Sequence, residues 1–195
     1  MKLYNALYRI LGVNLGSSVK LQGFPIIIKK GKIDIGSNTT VKSSFLSNLI
    51  GLYQRTVIVA RTPEAYVSIG ENVGMSGVTI YAREGVHIGK NCRIGGNTKI
   101  LDNDFHPVDP QLRLEASNKN MAVKPIEIGE NVFIGCNCLI LKGTVIGDNT
   151  TIGAGSVVSG EIPANCVAAG NPARIIRYFD KKDAVISVSY THLTL

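Results

Sequence analysis

The tetrapeptide Ile-Gly-x-Asn begins at Ile35, Ile69, Ile88, Ile94, Ile128, Ile134 and Ile146, seven copies in a chain of 195 residues. From Ile128 the phase is strict, with Ile128, Ile134, Ile140, Ile146, Ile152 and Val158 six residues apart. Four places later in these units stand Val132, Cys138, Thr144, Thr150, Ser156 and Ile162, small or β-branched. A short fixed period is the mark of a solenoid, whose units bury their apolar faces only against their neighbours. Six residues suffice for one short strand and one corner. The aliphatic residue points inward, and Gly and Asn take corner conformations that branched side chains resist. Ile128 to Ile146 is 18 residues, three units, which close one triangular coil. Coils stack as parallel strands about 4.8 Å apart. The expected fold is therefore all-β, a parallel β-helix of hexapeptide repeats. A β-sandwich does not keep a six-residue phase.

The intervals between coil starts locate the interruptions. Ile35 to Ile69 is 34 residues, so that coil is irregular or carries an excursion. Ile88 to Ile128 is 40 residues, one coil plus 22. The expected arm runs from His106 to Pro125 and holds Pro107, Pro110, Asp109, Arg113, Glu115, Lys119 and Lys124. Its prolines stop the strand pattern, and loops of this length in compact folds usually serve a function. The expected organisation is a cap segment over 1–30, the β-helix over 31–171, and a C-terminal cap over 172–183 with a short helix from Ala173 to Lys182. Residues 1–11 read as a short basic amphipathic helix covering the first coil. A second reading gives them a weak contact with a membrane surface. Ser187 to Leu195 fits nothing before it and resembles a non-native tail, so His192 receives no role.

Composition narrows the classes. Hydrophobic residues make up 45% and charged residues 18%, which argues against disorder. The net charge of +7 favours a polyanionic partner such as a phosphate-rich cofactor. Without a basic run carrying interleaved aromatics, nucleic acid is not expected as a partner. The four cysteines form no CxxC pair, so no zinc site is expected, and Cys92 and Cys138 occupy small inward positions. A reducing compartment follows, and with no apolar run of about 18 residues the expected location is cytoplasmic.

Two imidazoles could carry chemistry. His87 alternates with Val86 and Ile88, at the outward place held by Asp34, Ser68 and Glu127 in equivalent units. His106 stands where the strand stops and the arm departs, among Asp102, Asn103, Asp104 and Asp109. An imidazole beside carboxylates at the root of a long arm is a candidate general base.

The segment Ile-Leu-Asp-Asn-Asp-Phe-His-Pro-Val-Asp-Pro at 100–110, followed by Arg113, resembles the His-Pro segment of galactoside and maltose O-acetyltransferases and of capsule and lipopolysaccharide O-acetyltransferases. Ile-Gly-Ala-Gly-Ser-Val-Val at 152–158, Ile-Pro at 162–163 and Ala-Ala-Gly-Asn-Pro-Ala-Arg at 168–174 resemble the terminal coil and exit of the same hexapeptide-repeat acyltransferases. The resemblance covers roughly residues 65–178 and implies a left hand for the β-helix.

It also implies an acetyl-CoA-dependent O-acetyltransferase without a metal, with His106 taking a proton from an acceptor hydroxyl. It places CoA against Cys136, Ala154, Ser159, Arg174 and Arg177, and the acceptor against Ser76, Asp104 and Arg113. Gly160 stands where the family often has Lys, and Gly77 where galactoside enzymes carry an acceptor-binding Asn. The Ser-Gly pair at 76–77 is closer to the polysaccharide-modifying enzymes, so the expected acceptor is a sugar or a nucleotide- or lipid-linked glycan precursor. The same chemistry on a free galactoside or small non-glycan acceptor, and a non-catalytic scaffold, stay open as alternatives. The family implies a homotrimer with acetyl-CoA between neighbouring prisms, which suits closed symmetry.

Overall fold

The computed structural model describes residues 2–114 and 120–179. The chain winds through three sheets in turn, strand after strand. Sheet A has seven strands, from Asn14–Leu15 to Glu161–Ile162, and sheet C has six, from Ile26–Lys29 to Val157–Val158. Sheet B has eight, from Lys20–Gly23 to Cys166–Gly170 with Ala173–Tyr178 outermost. Neighbouring coils pair in parallel, and among the described strands only the last pair in sheet B is antiparallel.

The register stacks like residues on one another. Leu15, Ile35, Ile69, Ile88, Ile128, Ile146 and Ile162 form one continuous inward column of sheet A. Ile80, Ile100, Ile140 and Val158 do the same in sheet C, each fully buried. Each such side chain stabilises the prism by about 1.5–3 kcal/mol. The small residues four places on, Cys138, Thr144, Thr150 and Ser156, are buried as well. The corner between sheets A and B takes left-handed backbone at Asn38, Asn72, Asn91, Asn131, Asn149 and Asn165, with φ between 55° and 63°. Asn tolerates that conformation better than other side chains. Its amides also bond along the stack, Asn131 to Asn149 at 2.9 Å and Asn149 to Asn165 at 3.0 Å. The Gly of the repeat is needed for close approach: a Cβ on Gly89 would lie 2.5 Å from the Gly129 carbonyl oxygen.

Two boundaries differ from the sequence expectation. The prism does not start at residue 31: Asn14–Leu15, Lys20–Gly23 and Ile26–Lys29 already form a full first coil on the strands Lys32–Ile35, Thr40–Ser43 and Val57–Ala60. That coil lacks the Ile-Gly-x-Asn signature, and Leu15 and Leu21 fill its interior instead. Only the helix α1, Lys2–Ile10, acts as the cap. Tyr8 is buried and its hydroxyl donates to the Pro25 carbonyl, while Arg9 donates to Leu15 and Gly16 carbonyls at 3.0 and 3.1 Å. At the other end, Ala173–Tyr178 is a strand and not a helix. It turns back on Cys166–Gly170 and so covers the edge of sheet B, which a helix would leave unpaired. Residues 180–183 and the suspect tail lie outside the described residues.

The 34-residue interval resolves into an excursion over residues 44–56, between Thr40–Ser43 and Val57–Ala60. The expected arm leaves after the strand Lys99–Leu101 and rejoins at Ile126–Ile128.

Candidate active site

The arm begins with a buried carboxylate. Asp102 is fully buried and accepts the backbone N–H groups of Arg83, Glu84 and Gly85 at 2.8, 2.8 and 2.9 Å. Those three residues form the corner from sheet C to sheet A in the preceding coil. The carboxylate thereby replaces the ladder bonds that the departing chain gives up. Next to it, the Asn103 amide donates to Asp102 at 3.0 Å and its oxygen accepts the Phe105 N–H at 3.0 Å. This Asx turn forces Phe105 to φ 63° and lays its ring on Tyr81, centroids 4.9 Å apart. The turn closes with the His106 N–H on the Asp104 carbonyl at 2.7 Å. His106 is thus exposed on a short turn clamped from behind. Asp104 pairs with Lys142 at 2.6 Å, and its second oxygen, Oδ2, is buried without a hydrogen-bond partner among the described residues.

The arm itself carries the short helix α2, Pro110–Leu114, whose first N–H groups are capped by Asp109 Oδ1 at 2.8 and 3.2 Å. Arg113 donates to the Val108 carbonyl at 2.6 Å, so its guanidinium is engaged within the arm. Glu115 and Lys119 lie outside the described residues. The return is fixed by the Asn103–Val123 bridge and by the Lys124 N–H on the Asp102 carbonyl at 2.9 Å.

The other expected site residues fall on two edges of the prism. Backbone bonds from Asn97 to Ser76, Asn137 to Gly96 and Gly155 to Cys136 stack Ser76, Gly96, Cys136 and Ala154 in one line along the corner from sheet B to sheet C. Ser159 is exposed on the opposite corner, from sheet C to sheet A, two coils beyond the root of His106. Arg174 and Arg177 lie exposed on the outermost strand of sheet B, opposite Ala169 and Val167. The Arg177 guanidinium sits 4.9 Å from the Phe179 ring centroid. One chain therefore brings His106, Asp104 and Ser159 to one edge, and Ser76, Cys136 and Ala154 to the other, with sheet C between. His87 keeps to the outward row, paired with Ser68 and Glu127.

Two elements near the site are not legible in the sequence. Lys142 sits in regular repeat with no local signal. The 34-residue interval announces an excursion but not its docking: Asn48 donates to Ser76 Oγ at 3.0 Å, and the Tyr53 N–H donates to Asn97 Oδ1 at 3.2 Å. The excursion thus lies against the line of residues that starts at Ser76.

Burial pushes the thiols of Cys92 and Cys138 above the usual cysteine range, and Cys166 is also buried, whereas Cys136 is partly exposed. Iodoacetamide on the native protein is expected to label Cys136 first. Coenzyme A seated on that edge would slow this labelling; an unchanged rate at saturating coenzyme A would remove Cys136 from its site. Peptide mass spectrometry reads both results.

Comparison with known proteins gives the arrangement its family. The profile described as "Bacterial transferase hexapeptide (six repeats)" matches residues 125–160, and that described as "Hexapeptide repeat of succinyl-transferase" matches 66–101. The galactoside O-acetyltransferase of Lactococcus lactis is 31% identical over 158 residues, covering 80% of this chain and 68% of that protein. The chain belongs to the hexapeptide-repeat acyltransferase family. The galactoside O-acetyltransferase of Escherichia coli K12 is 41% identical over 128 residues, 62% of this chain, and the match spans 61% of that enzyme's length. Among solved structures, a galactoside acetyltransferase in complex with coenzyme A superposes with a TM-score of 0.55 at 30% identity, covering 87% of this chain and 66% of that one. The N-acyltransferase AntD from Bacillus cereus, in complex with dTDP and 3-hydroxybutyryl-CoA, shares the fold with a TM-score of 0.68 at 20% identity, over 92% and 90% of the two chains. The prism of this acyltransferase is the left-handed β-helix of the family.

The residues expected to hold coenzyme A suit it chemically. Two exposed guanidiniums can meet its phosphates, and Cys136 and Ala154 leave a low edge for its extended arm. Gly155, next to Ala154 on that edge, has open space around it.

Proposed function

We propose that this acyltransferase transfers acetyl from acetyl-CoA to a sugar hydroxyl of a glycan precursor, in the cytoplasm and in the service of surface polysaccharide, with His106 as the general base. The observation that carries this reading is the turn at 102–106, where a fully buried carboxylate and an Asx turn spend three backbone donors and one strained φ to present an exposed imidazole. Strain held at one residue by its surroundings is a common mark of a functional site.

Acetyl-CoA supplies the activated acetyl group. His106 accepts the acceptor's hydroxyl proton as that oxygen bonds to the acetyl carbonyl carbon. When the carbon–sulfur bond breaks, the same proton passes to the leaving sulfur, so the imidazole ends neutral. Arg174 and Arg177 hold the phosphates of the donor, and Ser159 lines its path. Asp104, two residues before the base and held by Lys142 at 2.6 Å, helps to position the acceptor. Arg113, engaged inside the arm, acts by shaping it.

The two-edge distribution supports a homotrimer in which the His106 edge of one protomer faces the Cys136 edge of the next. The mixing experiment tests this sharing. His106→Ala and Cys136→Arg are each expected to be inactive alone. Co-refolded in equal amounts, they should recover about a quarter of the wild-type rate, the share of interfaces that unite two intact edges in a closed ring. A mixture as inactive as its parts would place both edges of a working site in one chain and overturn the shared arrangement.

A further inference from the structure

Resting on the acetyltransferase reading, we infer that the acceptor carries a phosphate group, and that Lys42 and Arg93 recognise it in the groove over sheet B beside Ser76. The groove has a volume of about 360 Å³. It is lined by Thr40, Gly74 and Ser76 of sheet B, by Phe133, and by Asn48 and Ile50 of the 44–56 excursion. It therefore opens beside the line of Ser76, Gly96, Cys136 and Ala154, the edge at which acetyl would be delivered.

Its electrostatics are one-sided. None of the described side chains lining it is acidic, while Lys42 and Arg93 are both cationic. Lys42 pairs in register with Ser76 on one side of the central strand Gly74–Ser76, and Arg93 pairs with Gly74 on the other. Their backbones are two strand spacings apart, roughly 9.6 Å across the sheet. Gly74 lets the Arg93 side chain lie inward over that strand, since a Cβ there would be 3.2 Å from Arg93 Cδ. One end of the guanidinium is anchored, Nη1 donating to the Asn72 and Cys92 carbonyls. Such an anchor lowers the entropy lost when the remaining N–H groups meet an anion. The Lys42 ammonium has no ion pair or hydrogen bond among the described residues, although three carboxylate–cation pairs occur elsewhere on the surface.

Two cations from opposite sides over a floor of hydroxyls and amides fit a phosphate monoester or a diphosphate linkage better than a neutral glycoside. Charge-assisted bonds to phosphate are about twice as strong as neutral ones. A glycosyl phosphate, whether linked to a nucleotide or to a lipid, offers that chemistry next to the hydroxyls to be acetylated.

The test is equilibrium binding by calorimetry on the full chain without acetyl-CoA, so that it is independent of turnover. The probes are glucose 1-phosphate, UDP-glucose, farnesyl phosphate and, as the neutral control, methyl α-glucoside. The expected result is at least tenfold tighter binding of one or more phosphorylated probes than of the control. Which probe is tightest names the source: the nucleotide sugar, the lipid phosphate or the simple monoester. Lys42→Gln should remove most of the preference, and adding Arg93→Gln the rest. Because the Lys42 side chain bonds to nothing among the described residues, its variant reports on the groove even if the Arg93 variant loosens the coil. No preference in the wild type, or a preference that survives in Lys42→Gln, would overturn the assignment. Acetyl transfer to neutral sugars with no phosphate preference would sink this inference while leaving the acetyltransferase reading intact.

Discussion

Replacing His106 by Ala is expected to lower kcat/KM for acetyl transfer by about 10²–10⁴-fold, the usual contribution of a positioned general base. The side chain is exposed on a turn whose frame is bonded by Asp102, Asn103 and Asp104, so the variant should still fold, with a stability change of about 1 kcal/mol or less. Binding of acetyl-CoA should be unaltered, because the cations and the low edge assigned to the donor lie on other strands. Kinetics, urea unfolding of the variant and a separate measurement of donor affinity check all three points. A loss of less than about threefold, far below the usual share of a general base, would mean that another group takes the proton.

The second large effect is on the frame behind the base. Asp102→Ala orphans the N–H groups of Arg83, Glu84 and Gly85 in a fully buried corner. Each buried donor left unmade costs about 1–3 kcal/mol, and local water recovers only part of that. A destabilisation of about 3–5 kcal/mol in urea unfolding is expected, together with a fall in kcat, since the turn that presents His106 is built on the same carboxylate. Asp102→Asn keeps one acceptor oxygen and should lose less of both. If Asp102→Ala unfolds at the wild-type midpoint, the carboxylate does not carry the corner.

Much of the fold is readable because its rule is local. A six-residue phase puts Ile88, Ile128 and Ile146 in one column whatever happens in the arm between them. The first coil is hidden because Leu15 and Leu21 fill it without the Gly-Asn corner that makes the others visible. The last strand reads as a helix because Ala173 to Lys182 has no alternation: Ala173 is buried and the next five residues are exposed, as suits a strand that only covers an edge. In the site, His106 is marked by its neighbours in sequence. Lys142 and the 44–56 excursion are not, because their partners Asp104, Ser76 and Asn97 are brought to them only by coiling. Distances along the chain of 38 and 28 residues separate Lys142 from Asp104 and Asn48 from Ser76.

The measurement that tests the account most directly is acceptor-dependent release of free thiol from acetyl-CoA by the purified full chain, followed alongside the mass of the acceptor. Sugars and glycosyl phosphates serve as acceptors. Thiol should be released in equal amount to an acetylated sugar, with little release when the acceptor is omitted. Binding of coenzyme A without transfer to any hydroxyl, or no binding at all, would contradict it and leave the β-helix as a scaffold.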